Sequence, residues 1–546
     1  MSTKSKTKVR IKYNSKTDSL ESNSTIDYID KMSEFCNINP SNPNTIPKFM
    51  DELPKPPVLR PWCSTPSETH YSVEMRRALH RFHKFFPFTN IWGYEGTYPG
   101  PTIETTRDQK VMIKWVNNLP QKHFLPIDRT LHSTADTPEV RTVVHLHGAN
   151  VNSDSDGHPD AWFTKNYEKT GHAFSREVYE YTNHQQATTL WYHDHAVGIT
   201  RLNVYAGLAG FYIIRDTLEP RLELPCGEYE MPLLIQDKSF NEDGSLFYPD
   251  KPPFPVLVSP SVVPAFIGNT IVVNGKVWPY LNIEPRKYRF RLLNASNTRT
   301  YTLSLSNGHP FYQIGSDGGL LSNPVKIETL TIAPSERADL IIDFSEFSGE
   351  YITLVNNDTD PNTSIIMQFR VILPQKEKDT SKIPETLYPV MPIEENLASC
   401  FRNITLDATT DKYRRPLLLL DNHMWHDPAT EMPELDTIEV WNLVNLTNFA
   451  HPIHIHLVQF QILDRRPFDV ERYRETREII YTGAPIEPDE NEKGWKDTVR
   501  VNAGQVTRII AHFKDFIGSF VYHCHILEHE DHDMMRPLKV ITKYNS

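Results

Sequence analysis

The residues of this 546-residue chain most able to do chemistry are its histidines and one of its five cysteines. Fifteen of the 23 His fall in two windows, residues 145–195 and 451–546, and ten of them form four tight groups. These read His145-Leu146-His147, His193-Asp194-His195, His451-Pro452-Ile453-His454-Ile455-His456 and His523-Cys524-His525-Ile526-Leu527-Glu528-His529, the last followed by Met534. At this histidine frequency roughly one H-x-H would arise by chance, so one instance means little and four point to a site.

Strand geometry gives the spacing its meaning. Successive side chains alternate faces, so the two His of each H-x-H point the same way. His523 and His525 would share one face while Cys524 takes the other, so one short strand could ligate metal on both sides. Eight neutral imidazoles without a carboxylate suit a cluster of borderline ions such as copper. His451, His529, the Cys524 thiolate and the weak Met534 thioether match the soft trigonal ligation of a blue-copper electron-transfer centre. Zinc also takes His and Cys, but structural zinc closes four ligands around one ion. That arrangement gives no reason for a Cys flanked by two His of another site. Satisfied core or surface histidines would explain any one group, but not all four together.

The elements that must carry these groups read as strands. Val111–Val116, Thr142–His147, Gly210–Ile214, Thr270–Asn274, Lys287–Leu293, Ala338–Phe344 and Thr437–Trp441 are short β-branched or aromatic runs bounded by Gly, Pro, Asn or Asp. That is the pattern of sandwiches and barrels. With 42 Pro against 22 Gly, a helical bundle is excluded, because proline removes a donor and clashes inside helices. Asn274-Gly275 and Asn307-Gly308 are hairpin-turn dipeptides, and Val73–Phe85 is the helical candidate. Asp216–Cys226 and Pro374–Pro392 read as linkers. Cutting there gives segments 49–216, 217–376 and 377–546 behind a polar extension, 1–48. A faint repeat supports the cut: Asn118, Asn294 and Asn445 each close an aromatic-bearing strand.

Composition removes other classes. Lys+Arg number 57 and Asp+Glu 69, a net charge of −12, which gives no footprint for nucleic acid or an anionic membrane. No apolar run approaches the ~18–20 residues of a membrane-spanning helix. Five Cys are too few for a disulfide scaffold. With Cys524 set aside, Cys36, Cys63, Cys226 and Cys400 are expected as reduced thiols, Cys226 as the exposed one. The extension opens with Lys4, Lys6, Lys8, Arg10 and Lys12, and no apolar core follows. It is expected to be disordered rather than a secretory signal, with synthesis in the cytoplasm. Trp162, Trp191, Trp278, Trp425 and Met535 are expected as packing, and His532 at the surface.

The four motifs, in this order, resemble those of the multicopper oxidases. "GYEGTYPGPTIE" (93–104), "DGHPDAWF" (156–163), "HPIHIHLVQFQILDRRPFD" (451–469), "EKGWKDTV" (492–499) and "HCHILEHEDHDMMRP" (523–537) are similar to the bacterial spore-coat laccase and bilirubin oxidase group of that family. The likeness runs from about residue 48 to residue 544. It implies an all-β chain of three cupredoxin-like Greek-key β-sandwich domains, the middle one without ligands. It implies four copper ions: type 1 at His451, Cys524, His529 and Met534; type 2 at His145 and His454; and a type 3 pair at His147, His193, His195, His456, His523 and His525.

The reaction implied is one-electron oxidation of a small aromatic reductant (a phenol, an aminophenol or a bilirubin-like pigment), coupled to four-electron reduction of dioxygen to water. Electrons would enter at His529 and pass through Cys524 to His523 and His525. Glu530, beside His529, and Asp156, eleven residues after His145, resemble the acids that the family uses at its proton and water channels. The rival for Glu530 is a solvated charge in "EHED", and for Asp156 a turn former before Gly157. Rival functions are a Mn, Fe or Cu ion oxidase and a structural spore-coat or copper-storage protein with incidental oxidase activity. Twelve Met without a cluster beyond Met534-Met535 argue against a cuprous oxidase, and eight cluster imidazoles exclude a two-domain nitrite reductase. The resemblance also suggests spore-coat proteins as partners and assembly into the coat, which the basic extension would aid.

Overall fold

The structure, a computed structural model, describes residues 38–132 and 134–542. Alternation in the sequence becomes alternation in space. Along Lys110–Asn118, Val111, Ile113, Trp115 and Asn117 turn inward while their neighbours are half exposed, the period-two burial of a strand with one covered face. Among the described residues the strands form six sheets, two from Cys63–Arg215, two from Glu230–Arg370 and two from Cys400–Val540. Each region repeats one parallel pair: Glu68–His80 with Lys110–Asn118, Glu230–Phe240 with Lys287–Asn294, and Cys400–Thr410 with Thr437–Asn445. A parallel neighbour needs a crossover, and here it is the Greek-key connection of a cupredoxin-like sandwich.

The asparagine repeat acquires a physical basis. Asn294 and Asn445 each end the second strand of that pair, and their side chains accept from the N–H two residues on. Both amide groups then donate to two carbonyls of neighbouring segments. In the first region this is done by Asn117, not Asn118: it accepts from Leu119 N–H and donates to Thr142 Oγ1 and the Phe163 carbonyl.

Three expectations are corrected. Val73–Phe85 is not a helix: Glu68–His80 is a strand, because Tyr71, Val73 and Met75 repeat every second residue onto the core. Asn274-Gly275 does turn a hairpin, with φ of 46° and 79°, whereas Asn307-Gly308 joins strands of two different sheets. Residues 38–48, expected within the polar extension 1–48, pack on the fold. Ile46 is buried, His83 Nε2 donates to the Pro47 carbonyl, and Lys48 Nζ donates to Asn362. The basic stretch before residue 38 lies outside the described residues. Both linkers are tied down: the backbone N–H of Lys382 donates to the Glu223 carbonyl, and Asp379 accepts from Lys287.

The first two regions share one apolar core, running from Val73 and Trp115 to Phe290 and Phe369, while the third has its own around Leu443, Ile455, Phe460 and Tyr522. Burying one such side chain contributes about 1.5–3 kcal/mol. No helix of the described residues is long and apolar enough to cross a membrane.

Candidate metal centres

Two antiparallel strand pairs, one from the first region and one from the third, meet face to face. Val144–His147 pairs with Thr188–Asp194, placing His145 opposite His193. His451–Ile455 pairs with Gly518–Cys524, placing His454 opposite His523 and Ile453 opposite Cys524. The rings then interleave across the junction. His145 stacks on His456 with centroids 3.7 Å apart, and His147 on His454 at 3.6 Å. All eight imidazoles of the four H-x-H pairs are 1% exposed or less. Trp191 lies against His193 at 4.2 Å, one wall of the same site.

The outer nitrogens of these rings are anchored. Nδ1 of His145, His193 and His454 donate to the carbonyls of Asp156, Asp194 and Asp497 at 2.6, 2.8 and 2.8 Å. His456 Nδ1 donates to Asp156 Oδ2 at 2.7 Å. The two carboxylate oxygens of Glu530 lie 3.1 Å from Nδ1 of His195 and 3.1 Å from Nδ1 of His523. Glu530 is therefore fully buried, not the solvated charge that an acidic run suggests. Asp156 is also buried. It holds His456, and it precedes Gly157, whose φ of 81° and 2.1 Å approach of a Cβ to the Val144 carbonyl admit only glycine.

Most of the inner nitrogens have no hydrogen-bond partner among the described residues. Nε2 of His145, His193 and His454, Nδ1 of His147, and both nitrogens of His525 are buried without a hydrogen-bond partner. Nε2 of His456 faces Nε2 of His195 and of His523, each at 3.3 Å. Burial, aided by neighbouring imidazoles, holds His145, His147, His193, His454, His456 and His525 well below the ordinary histidine range. Neutral imidazoles with converging lone pairs are what borderline cations require and what an empty core would not tolerate. The donor set fits copper.

Cys524 points to the other side of its strand. Its Sγ lies 3.5 Å from His451 Nδ1 and 3.6 Å from His529 Nδ1, and its N–H donates to the Met534 carbonyl at 3.0 Å. Burial pushes the thiol up and holds His451 down at about 3, so a soft cation between them would supply the charge that a thiolate needs. Met534 is buried in the same apolar cluster as Cys524. The half-exposed ring of Phe449 lies 4.7 Å from His451 and 5.8 Å from His529.

The short helix Leu527–His532 serves several partners at once. Glu528 accepts from Tyr248 Oη, Asn297 Nδ2 and Thr298 Oγ1. Asp531 accepts from the N–H groups of Thr200 and Arg201 and pairs with the Arg201 side chain. His532, expected at the surface, is buried because Asp411 Oδ2 holds its Nε2 at 3.3 Å. Sequence reasoning missed Glu528 and Asp531, and also Asp497, which lies 3.0 Å from His147 Nε2. The signal available for Asp497 was its place in "KGWKDTV" before an apolar strand. Trp162, Trp191, Trp278, Trp425 and Met535 are all buried. Cys226 is exposed, Cys63 and Cys400 are half buried, and none of these three is paired; Cys36 lies outside the described residues.

Comparison with known proteins agrees with this geometry. Family models described as multicopper oxidase match residues 85–135 and 130–219, 258–370 and 401–543. A laccase of Bacillus subtilis (strain 168) is 54% identical over 507 residues, covering 91% of this chain and 99% of that protein. A laccase of Bacillus stratosphericus is 54% identical over 505 residues, covering 90% of this chain and 99% of that protein. The crystal structure of a laccase from Pediococcus acidilactici superposes with a TM-score of 0.73 at 28% identity, covering 91% of this chain and 95% of that one. The chain belongs to the multicopper oxidase family, copper-dependent oxidoreductases that hold four copper ions and use dioxygen as electron acceptor.

Proposed function

We propose that this protein is a laccase, oxidising phenolic, aminophenolic or bilirubin-like substrates one electron at a time while dioxygen is reduced to water. The observation that carries the reading is the tripeptide His523-Cys524-His525. Its thiol faces His451 and His529, and its two imidazoles face the eight-histidine cluster. The shared name of the two Bacillus relatives supports it. His451, Cys524, His529 and Met534 would hold type 1 copper, and His145 and His454 type 2. The type 3 pair would fall to His195, His456 and His523 on one side and His147, His193 and His525 on the other. When bound, the copper ions supply one-electron acceptance at the first centre and four-electron delivery to dioxygen at the cluster.

The chain's own residues do the rest. His529, near the half-exposed Phe449, is the edge nearest a reductant. Cys524 and its two neighbours join the centres covalently. Burial of every ring excludes bulk water and confines reactive oxygen chemistry. Glu530 and Asp156 orient His195, His523 and His456, and are the carboxylates placed to hold protons for dioxygen reduction. We assign cupredoxin-like units to 49–216, 217–376 and 377–546, supported by the three pairs of sheets. Cytoplasmic synthesis and assembly into a spore coat, with coat proteins as partners, are proposed on the resemblance of the sequence motifs to the spore-coat laccase group. Oxygen uptake compared across a hindered phenol, an o-aminophenol, bilirubin and Mn(II) tests the substrate class. Turnover of the organic donors is expected. Uptake with metal ions alone would make this a metal-ion oxidase.

A further inference from the structure

The middle region supplies no candidate ligand, yet one of its arginines reaches the cluster. Arg337 is buried, and its whole guanidinium is engaged. Nε donates to the Thr189 carbonyl at 3.0 Å and Nη1 to the Ser335 carbonyl at 3.0 Å. Nη2 donates to the Asp317 carbonyl at 3.1 Å. The remaining donors grip Asp497 through both carboxylate oxygens, Nη1 to Oδ1 at 2.8 Å and Nη2 to Oδ2. This is the bidentate fork that arginine forms and lysine does not. Thr189 lies on the strand that carries His193, so one guanidinium ties all three regions together.

Asp497 passes that fixation on to two rings. Its Oδ1 lies 3.0 Å from His147 Nε2, and its carbonyl accepts from His454 Nδ1 at 2.8 Å. The consequence is visible in the ring orientations. Of the eight cluster imidazoles, five hydrogen-bond an outer partner through Nδ1, and Nδ1 of His195 lies 3.1 Å from a Glu530 oxygen. His525 engages none through either nitrogen. His147 alone is reversed, with Nε2 outward and Nδ1 inward. The neighbouring Gly148 leaves the room this needs. A Cβ there would come within 2.4 Å of Asp497 Oδ2 and 2.8 Å of Arg337 Nη2, at a φ of 86°. Asp497 with His147 and His454 could pass for a metal site in its own right. However, both its oxygens already face a guanidinium, and a second cation there would meet that charge directly.

We propose that Asp497, clamped by Arg337, is a positioning residue of the copper cluster. It makes His147, assigned to the type 3 pair, present Nδ1, and it fixes His454, assigned to type 2, so that the ligand-free middle region sets the geometry where the two sites meet. This rests on the ligand assignment above. The general pattern is that carboxylates which orient metal-bound histidines matter to metal affinity by about 10–100-fold.

The test uses the copper-loaded full chain and two variants, Asp497→Asn and Arg337→Met. The readouts are copper retained after challenge with a chelator, the type 2 electron paramagnetic resonance signal, the blue absorption and the melting temperature. In both variants type 2 copper should be lost about 10–100-fold more readily, with an altered type 2 signal and unchanged blue absorption. Full retention with an unaltered signal in both would overturn the proposal. So would parallel loss of blue absorption and type 2 copper with a lowered melting temperature, which would make the pair a general brace. If the wild-type chain itself lacks a type 2 signal, the ligand assignment fails, and not the positioning role.

Discussion

Truncating Glu528 to alanine should release the helix that carries His529. The Glu528 carboxyl is 1% exposed, and burial pushes it above its ordinary value. It accepts from Tyr248 Oη at 2.6 Å, Asn297 Nδ2 at 2.8 Å and Thr298 Oγ1 at 2.7 Å. Each donor stranded in the interior costs about 1–3 kcal/mol, less than additively because the three share one acceptor group. The loss in Glu528→Ala is therefore about 3–5 kcal/mol. Glu528→Gln keeps an oxygen for Tyr248 and Asn297, and the Thr298 hydroxyl can turn to accept from the new amide, so it should cost only about 1 kcal/mol. Guanidinium titration followed by blue absorption and by far-ultraviolet circular dichroism separates the two effects. In Glu528→Ala the blue absorption should disappear at lower denaturant than the β-sheet signal does. Alanine and glutamine variants with the same midpoint would refute the docking role.

Cys524→Ser should abolish the blue absorption and oxygen uptake while copper per chain falls from four to three; a variant that stays blue would remove Cys524 from the ligand set. Glu530→Leu, compared per copper retained, should lose about 10²–10⁴-fold in turnover, the usual weight of a proton-transfer group; undiminished turnover at full copper would end that role. Glu492 is pushed up by burial, but Arg465 at 2.7 and 2.9 Å outweighs this and holds it at about 2, against an ordinary 4.5. A depressed carboxylate stabilises the fold above its unfolded value and loses that contribution as pH falls. Up to about 3 kcal/mol should therefore vanish between pH ~4.5 and ~2. Glu492→Gln should flatten that acid limb, and an unchanged stability profile would contradict the assignment.

The parts that were legible in the sequence are those whose signal is local. Alternation along a strand made each H-x-H a same-face pair and set Cys524 apart from His523 and His525, and the strand beneath His145 and His147 read directly from a β-branched run. The helix expected over Val73–Phe85 failed where Arg76, Arg77 and His80 obscured the two-residue repeat of Tyr71, Val73 and Met75. What stayed hidden depends on distant partners. Asp497 gains its role from Arg337, 160 residues away. Glu528 and Asp531 look solvated in an acidic run, until Tyr248 and the N–H groups of Thr200 and Arg201 enclose them. His532 was misplaced for the same reason, since Asp411 is remote in sequence. Pairings of this kind leave no periodicity for a sequence to display.

The central claim is that two centres, joined through His523-Cys524-His525, couple one-electron oxidation to four-electron reduction of dioxygen. Titrating the copper-loaded chain with a phenolic donor, while recording copper per chain, blue absorption, oxygen consumed and hydrogen peroxide released, tests it in one experiment. The expected result is four coppers, bleaching and recovery of the blue band, and one dioxygen consumed for every four electrons without peroxide. Four coppers with peroxide as the product, or a blue band that the donor bleaches without oxygen uptake, would contradict it.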